Sequence, residues 1–305
     1  MSFNFVLFRM VPEDPALLMM NREPTTPMSV YWRNVETMGL NDSLSEQFIK
    51  YVYMTFTGDW GMSYQYNTPV IDVMKGALGW TILLVGTSTF LTFIIGMALG
   101  KIAALRRGKS ADLGITGFGL FFYGMPVFWF AIVLMVIFGG MLAILPVGGK
   151  MDSGMSPFPI SLSNILNIME HMALPVATMT IGGLAGVILI MRNSLIDVMT
   201  EDYIVTAYAK GLDERKVMKR HAAPNARLPI VTTIAMDTAF ILGGAFQVEV
   251  VFSYRGIGYL SMDAIWKMDY PMLQFVFLIG GVAIVAANLI ADIVLLKLDP
   301  RVKIT

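Results

Sequence analysis

The sequence contains no cysteine and only two histidines, His171 and His221, among its 305 residues. Disulfide bonds and thiolate metal sites are therefore excluded, and two histidines are too few for a histidine-rich metal centre. Neither histidine has the spacing of a catalytic metal site, so we expect both to be structural or solvated. The formal net charge is zero, and overall electrostatics therefore do not indicate a nucleic-acid partner.

Charged residues are also scarce, at 14% of the chain against 56% hydrophobic residues. Soluble domains carry about 25% charged residues, so the composition predicts an integral membrane protein. A spanning helix takes about 20 mostly apolar residues. Five segments meet this length: 79–100, 115–142, 173–191, 230–252 and 272–296. The second is longer than a span requires, and we expect it to tilt or to break near Pro126 or Gly139-Gly140.

The distribution of basic residues predicts the orientation of the chain in the membrane. Fourteen Lys and Arg residues fall in three segments that total sixty positions: 101–114, 192–228 and 297–305. Only seven fall in three segments that total 114 positions: 11–78, 146–172 and 253–271. Because basic residues concentrate on the inner side, the first three segments, including the C-terminus, are predicted to be cytoplasmic.

The same orientation places residues 11–78 outside and leaves an odd number of full spans. Phe3–Met10 is apolar but too short to cross a bilayer. We interpret it as the end of a truncated first transmembrane helix, which makes about six helices in all. The alternative is a short segment that lies at the membrane interface.

The stretch 201–229 holds ten charged residues between two apolar segments. Its acidic start and the later Gly211 predict a first helix over 201–210. Asp213 is suited to an N-cap, and a second helix is predicted to run from there to just before Pro224.

Four apolar positions would lay this helix–Gly–helix unit along the inner face of the membrane: Val205, Ala209, Leu212 and Val217. The unit could then fit a groove on a partner protein. A solvated amphipathic loop on the membrane surface is the alternative.

Several catalytic motifs are missing from the chain. Gly108-Lys109-Ser110 matches the end of the phosphate-binding loop G-x-x-x-x-G-K-[ST], but Ala103 stands where a Gly is required. Neither H-E-x-x-H nor G-x-S-x-G occurs. We therefore expect the chain not to be an enzyme by itself and to bind no cofactor or metal. If ATP drives it, another chain must bind the ATP.

Carboxylates at membrane depth are costly and are candidates for function. Asp237 follows Pro229 by eight residues, roughly 12 Å along a helix. It could line a translocation path or bond a neighbouring helix, and both interpretations stay open. Glu249 and Asp292 lie closer to the membrane faces, where we expect structural ion pairs or hydrogen bonds.

The charged loop resembles the loop through which permease subunits of ABC importers contact their ATPases. The spacing of four residues matches the family. Small residues stand at 207 and 209, Gly211 follows them, and Pro224 comes thirteen positions after Gly211. Val205 departs from the family pattern, because the general motif carries an acidic residue there. Other stretches match the dipeptide/oligopeptide class in order and spacing: 58–64, 249–252, 256–258, 269–271 and 298–302.

This resemblance implies an all-α integral membrane protein that forms half of a translocation pathway for peptides or a related solute. It implies four kinds of partner: a homologous second permease, two cytoplasmic ATPase subunits that hold ATP and Mg, an extracytoplasmic substrate-binding protein, and membrane lipid. The implied location is the cell membrane, with several spans.

The implied domains are 1–10 as the truncated first helix, 11–78 as an extracytoplasmic segment, and 79–305 as the permease domain with a coupling loop at 192–228. The resemblance assigns ATPase coupling to ten residues: Thr206, Ala207, Ala209, Lys210, Gly211, Leu212, Asp213, Val217, Arg220 and Pro224.

Two other function classes fit the sequence less well. An ion-driven secondary transporter often has internal repeats and several midplane ionisable groups, whereas this sequence has no convincing repeat and one deep carboxylate. A membrane-embedded enzyme would need a nucleophile–base pair or a metal constellation, and none is visible in the sequence.

Overall fold

A computed structural model describes residues 1–10, 14, 16–17, 27–37, 39–227, 229–230 and 245–298. In these residues the regular structure is helical, and one isolated antiparallel bridge joins Met62 and Pro69. The α-helices are α1 (Ser2–Arg9), α2 (Met28–Thr37), α3 (Leu44–Thr57), α4 (Val70–Leu105), α5 (Ser110–Tyr123), α6 (Val127–Leu134), α7 (Leu162–Val198), α8 (Asp202–Ala209), α9 (Glu214–Val217), α10 (Ala223–Ala226), α11 (Phe246–Val251), α12 (Ile257–Trp266) and α13 (Tyr270–Leu298). Two π-helical segments cover Met135–Met141 and Met218–Ala222.

The chain divides into two compact units. The first unit consists of Met1–Gly79 and Gly256–Val282. Its helix α3 is closed at both ends, by a capping box of Ser43 with Glu46 and by Gly58 in the left-handed conformation. Buried Asp269 accepts hydrogen bonds from the hydroxyl of Ser63 and from the backbone N–H of Gln65 (3.0 Å), and these bonds tie two distant segments of the unit together.

The second unit consists of Trp80–Arg255 and Ala283–Thr305. Two apolar clusters form its core, and α7 contributes to both of them. One cluster joins Met172 and Leu174 of α7 to Leu84 of α4 and to Val248 and Phe252 at the end of α11. The other lies farther along α7 and holds the loop described below.

The structure describes some of the membrane spans predicted from the sequence but not all of them. Helices α4 and α7 have 36 and 37 residues, and both are long and apolar enough to span a membrane. They contain the predicted spans 79–100 and 173–191. Helix α13 contains the predicted span 272–296, whereas residues 231–244 of the predicted span 230–252 lie outside the described residues. The total of six spans stays a prediction.

The predicted break in the segment 115–142 is confirmed. Helix α5 ends at Tyr123, α6 begins at Val127, and the two helices are bent by 100°. Pro126 is the N-cap residue of α6. A proline has no backbone N–H and disfavours the helical conformation of the residue before it, which accounts for the break at this position.

Helices α4 and α7 pack closely where α4 has no side chains. A Cβ atom built on Gly96 would lie 2.7 Å from the Cβ of Val187, and one on Gly100 would lie 2.7 Å from the carbonyl oxygen of Ile188. Glycines four residues apart let two helix backbones approach in a membrane. This contact fixes how far apart α4 and α7 lie.

We therefore expect Gly100→Leu to destabilise the protein, because the side chain would displace the backbone of α7. The free energy of unfolding should fall by about 1–3 kcal/mol, which a lower Tm of the protein purified in detergent would record. The control is Gly86→Leu on the same helix, because a Cβ at Gly86 meets nothing within 4 Å. An equal loss of Tm in both variants would contradict this account of the packing.

Candidate functional site

The loop between α7 and residue 230 consists of helices on either side of a left-handed glycine. Helix α8 begins after Glu201, and α9 begins after Asp213, whose side chain accepts a hydrogen bond from the backbone N–H of Lys216 at 2.8 Å. This backbone hydrogen bond, followed by the side chain of Lys216, lowers the pKa of Asp213. Between the two helices Gly211 has φ +78°, a conformation that residues with a Cβ rarely adopt.

The sequence predicted that the second helix of the loop ends just before Pro224, and this prediction is wrong. Helix α9 continues through the π-helical segment Met218–Ala222 into α10, where Pro224 lies in the first turn. A proline in an α-helix collides with the carbonyl four residues earlier. Because the π-turn is wider and occurs as a single-turn bulge within helices, the chain stays helical through Pro224 as far as Ala226.

One side of the loop is anchored in the core of the second unit. Ile204 and Ala207 of α8 are buried, as is Val217 of α9. They belong to a cluster with Met191 and Leu195 of α7, which also includes Met218, Ala222, Ala223, Ala226, Ile230, Phe93 and Val187. The loop is therefore folded onto the end of α7 and does not hang free from it.

The burial of the predicted apolar face differs from the expectation. Val217 is fully buried and Leu212 packs against the same cluster, but Val205 is 60% exposed and Ala209 is exposed too. On α8 the pair Ile204 and Ala207, three residues apart, faces the core, so Val205 and Ala209 fall on the other side.

The ten residues predicted for ATPase coupling are thus divided between two faces. Ala207 and Val217 are buried, and Leu212 is half-buried. The remaining seven are exposed: Thr206, Ala209, Lys210, Gly211, Asp213, Arg220 and Pro224. Arg215, Lys216 and Lys219 are also exposed, as are the acids Glu201, Asp202 and Glu214. The exposed surface therefore carries charges of both signs, with a small excess of bases and a small apolar part on α8.

An ion pair joins the last turns of α7 to the first turn of α5. Nε and Nη2 of Arg192 donate to the two carboxylate oxygens of Asp112 at 2.6 and 2.7 Å. The backbone N–H of Gly108 donates to the same carboxylate at 2.9 Å. The side chain of Asp112 is 4% exposed. Sequence reasoning missed Asp112, and the one signal was an isolated acid three residues after Lys109.

The other carboxylates singled out from the sequence are only partly described. Asp237 lies outside the described residues, and the side chain of Asp292 in α13 is likewise not described. Glu249 is fully buried and accepts a hydrogen bond from the hydroxyl of Thr81 at 2.7 Å. This bond agrees with the structural role expected for Glu249.

The two histidines also have different environments. His171 is buried, and its Nδ1 lies 2.9 Å from the carbonyl oxygen of Asn167. Its Nε2 lies 3.6 Å from the carboxylate of Asp152, whereas His221 in the loop is half-buried. Among the described residues, no three His, Cys, Asp or Glu side chains are grouped so that they could hold a metal ion.

Comparison with known proteins gives a consistent result. The family described as binding-protein-dependent transport system inner membrane component matches residues 96–304. The oligopeptide transport system permease protein AppB of Bacillus subtilis is 33% identical over 301 residues, which cover 98% of this chain and 93% of that protein. The dipeptide transport system permease protein DppB of Escherichia coli is 28% identical, with coverage of 98% and 92%.

A solved structure of an ABC transporter has a similar helical fold. In the MetNI methionine ABC transporter, in an inward-facing conformation, one chain matches with a TM-score of 0.59 at 13% identity. The match covers 75% of this chain and 97% of that one. At this identity the likeness concerns the fold alone.

The ion pair at the start of the loop leads to a stability prediction. Asp112→Asn keeps the shape of the side chain but leaves the half-buried Arg192 without a counter-charge. We expect a clearly lower Tm of the protein purified in detergent.

The matched control is Asp72→Asn, which removes the acid of an exposed pair with Lys75 at 4.0 Å. Exposed pairs contribute about 0–1 kcal/mol, so its Tm should barely change. A similar decrease of Tm in the two variants would show that the Arg192–Asp112 pair stabilises the protein no more than an exposed pair does.

Proposed function

Because this chain belongs to the family of binding-protein-dependent transport system inner membrane components, we propose that it imports peptides or a related solute and couples to its ATPases through the loop 192–228. Family membership makes it a permease component of an ABC transporter in the cell membrane, with several spans. The alternative of an ion-driven secondary transporter finds no support in the similar proteins.

The observation that carries the coupling role is the division of the loop into a buried face and an exposed face. The buried residues make the loop continuous with α7 through Met191 and Leu195. The exposed residues present α8 and the basic side chains of α9 to a partner. An amphipathic helix held in this way fits a groove on another protein.

The exposed face is the docking surface for a cytoplasmic ATPase subunit, and it includes Thr206, Ala209, Lys210, Asp213 and Arg220. Ala207 and Val217 contribute by holding the loop on the core. Leu212, Gly211 and Pro224 shape the connection between the helices. ATP and Mg are bound in the ATPase subunits, and this chain contributes no ligand to them.

The assembled importer contains a homologous second permease, two ATPase subunits and an extracytoplasmic substrate-binding protein, all surrounded by membrane lipid. The two permeases enclose the pathway, and Asp237 either lines it or bonds a neighbouring helix. The C-terminus is cytoplasmic, as the distribution of basic residues predicts. A peptide is the favoured solute because the names of similar proteins from two organisms specify oligopeptide or dipeptide transport.

Coupling follows from the contacts of the loop. When the ATPases close on ATP, they displace the docked loop, and the buried cluster passes this displacement to α7. The Arg192–Asp112 pair connects α7 to α5 at the same end. The helices then move together between outward-open and inward-open states.

Two alanines of α8 test the division into faces. Ala209→Phe would obstruct the exposed surface, and we expect the recovery of ATPase subunits with the tagged permease to fall about tenfold, equivalent to ~1.4 kcal/mol. The Tm of the permease itself should be unchanged. Co-purification from detergent followed by quantitative mass spectrometry measures this recovery.

Ala207→Phe is the paired variant, since Ala207 is buried in the cluster. Overpacking should lower its free energy of unfolding by about 1–3 kcal/mol. Full recovery of the ATPases with Ala209→Phe, at unchanged Tm, would exclude this side of α8 from the docking surface.

Gly211 tests the transmission of movement through the loop. A Cβ atom here would meet no atom within 4 Å, so the main cost of a substitution is backbone strain, about 1–2 kcal/mol. We expect Gly211→Val to leave the protein in the membrane but to lower uptake per ATP hydrolysed in proteoliposomes.

The control for this variant is Gly211→Asn, because asparagine tolerates positive φ better than a β-branched residue. It should retain most of the uptake per ATP hydrolysed. Full transport by Gly211→Val would refute the requirement for a left-handed residue at this position.

A further inference from the structure

Two segments of the second unit lie side by side at the end of the core opposite to the loop. The backbone N–H of Gly149 donates to the carbonyl oxygen of Phe252 at 2.7 Å. A Cβ on Gly148 would lie 2.5 Å from the same oxygen, so only glycine permits this approach. The contact places Lys150 and Arg255, which follow in the two segments, on neighbouring stretches of chain.

Lys150 lies over an aromatic ring that is held firmly in place. Its Nζ is 4.9 Å from the centroid of the Trp80 ring, within the range of a cation–π interaction. The buried Tyr254 donates its hydroxyl to the carbonyl oxygen of Trp80 at 3.3 Å, and the two rings meet edge to face. The ammonium group therefore has a defined position.

Neither cation is neutralised by an acid in the described part of this unit. Among the side chains that the structure describes, no carboxylate lies within ion-pair distance of Lys150 or Arg255. Asp152, two residues beyond Lys150, accepts instead from Nδ2 of Asn167 at 2.6 Å and lies beside His171.

The pKa of Lys150 reflects the same environment. Burial lowers this pKa, and the positive charge of Arg255 lowers it further. A neighbouring carboxylate would have raised it. Lys150 is half-buried and Arg255 beside it is exposed. An anion that bound between the two cations would relieve their repulsion.

An apolar groove is lined in part by the same two segments of chain. Its volume is about 510 Å³, and its walls include Met135, Val136, Val147 and Val251. Gly148 and Ser253 also line it, and each of them precedes one of the two cations by two residues. A ligand with an apolar body and a terminal negative charge would match this arrangement.

We propose that Lys150 and Arg255 bind the terminal carboxylate of the solute, while an apolar side chain of the solute lies in the adjoining groove. The favoured ligand class is a short apolar peptide with a free C-terminus. Trp80 positions the ammonium group of Lys150 for this contact. The inference rests on the proposed function and narrows its solute class.

The test compares trileucine with trileucine amide, which lacks the carboxylate charge. The whole importer complex in nanodiscs, without its binding protein, is titrated with labelled trileucine in competition with either unlabelled compound. We expect the amide to compete about tenfold more weakly on the wild type. Lys150→Gln and Arg255→Gln should each lose this difference, and Lys150→Arg should retain it.

The matched control is Lys75→Gln, because Lys75 is an exposed lysine paired with Asp72. It should discriminate like the wild type, and the Tm of every variant reports folding. Equal competition by acid and amide on the wild type would overturn the carboxylate site, as would full discrimination by Lys150→Gln.

ATP-dependent uptake of trileucine by cells that express the whole importer separates this inference from the proposed function. Uptake without dependence on the carboxylate would overturn the inference and leave the proposed function standing. If trileucine, its amide and a panel of other short peptides are neither bound nor taken up, both the peptide-importer role and the carboxylate site fail.

Discussion

Helices α4 and α7 approach each other at Gly96 and Gly100 because neither glycine has a side chain to hold the backbones apart. Between them, Val187 and the backbone of Ile188 come close to α4. Val187 also belongs to the cluster that holds the loop. A small change in the distance between the two helices would therefore also change the packing that holds the loop. The rest of the second unit depends on this helix–helix contact.

Helix α7 contributes to two sets of contacts near its ends. At one end Leu195 packs with the loop, and Arg192 binds Asp112. At the other end Met172 and Leu174 pack with Phe252, whose carbonyl oxygen accepts from Gly149 beside the two unneutralised cations. A displacement of α7 thus acts at both places. This single helix physically links the proposed ATPase surface to the proposed solute site.

The sequence was sufficient for features that depend on local chemistry. Apolar length predicted α4 and α7, and Asp213 was recognised as an N-cap from its side chain and position. The excess length of the segment 115–142 predicted a tilt or a break near Pro126 or Gly139-Gly140, and the structure has the break at Pro126. The sequence was insufficient where the rotation of a helix about its axis decides which side chains face the core. Val205 and Ile204 are both apolar neighbours on α8, and only packing shows that Ile204 faces the core. The partnership of Asp112 with Arg192 joins residues eighty positions apart, which local patterns do not report.

The lengths of α4 and α7 have a consequence for the surrounding lipid. At 36 and 37 residues, they extend for about 54 and 55 Å along their axes, against a hydrocarbon layer of about 30 Å. Each helix therefore continues well beyond the acyl chains without unwinding. Bilayers of different thickness can be matched by a change of tilt or depth, so the distance between the two ends of α7 is set by the helix and not by the membrane.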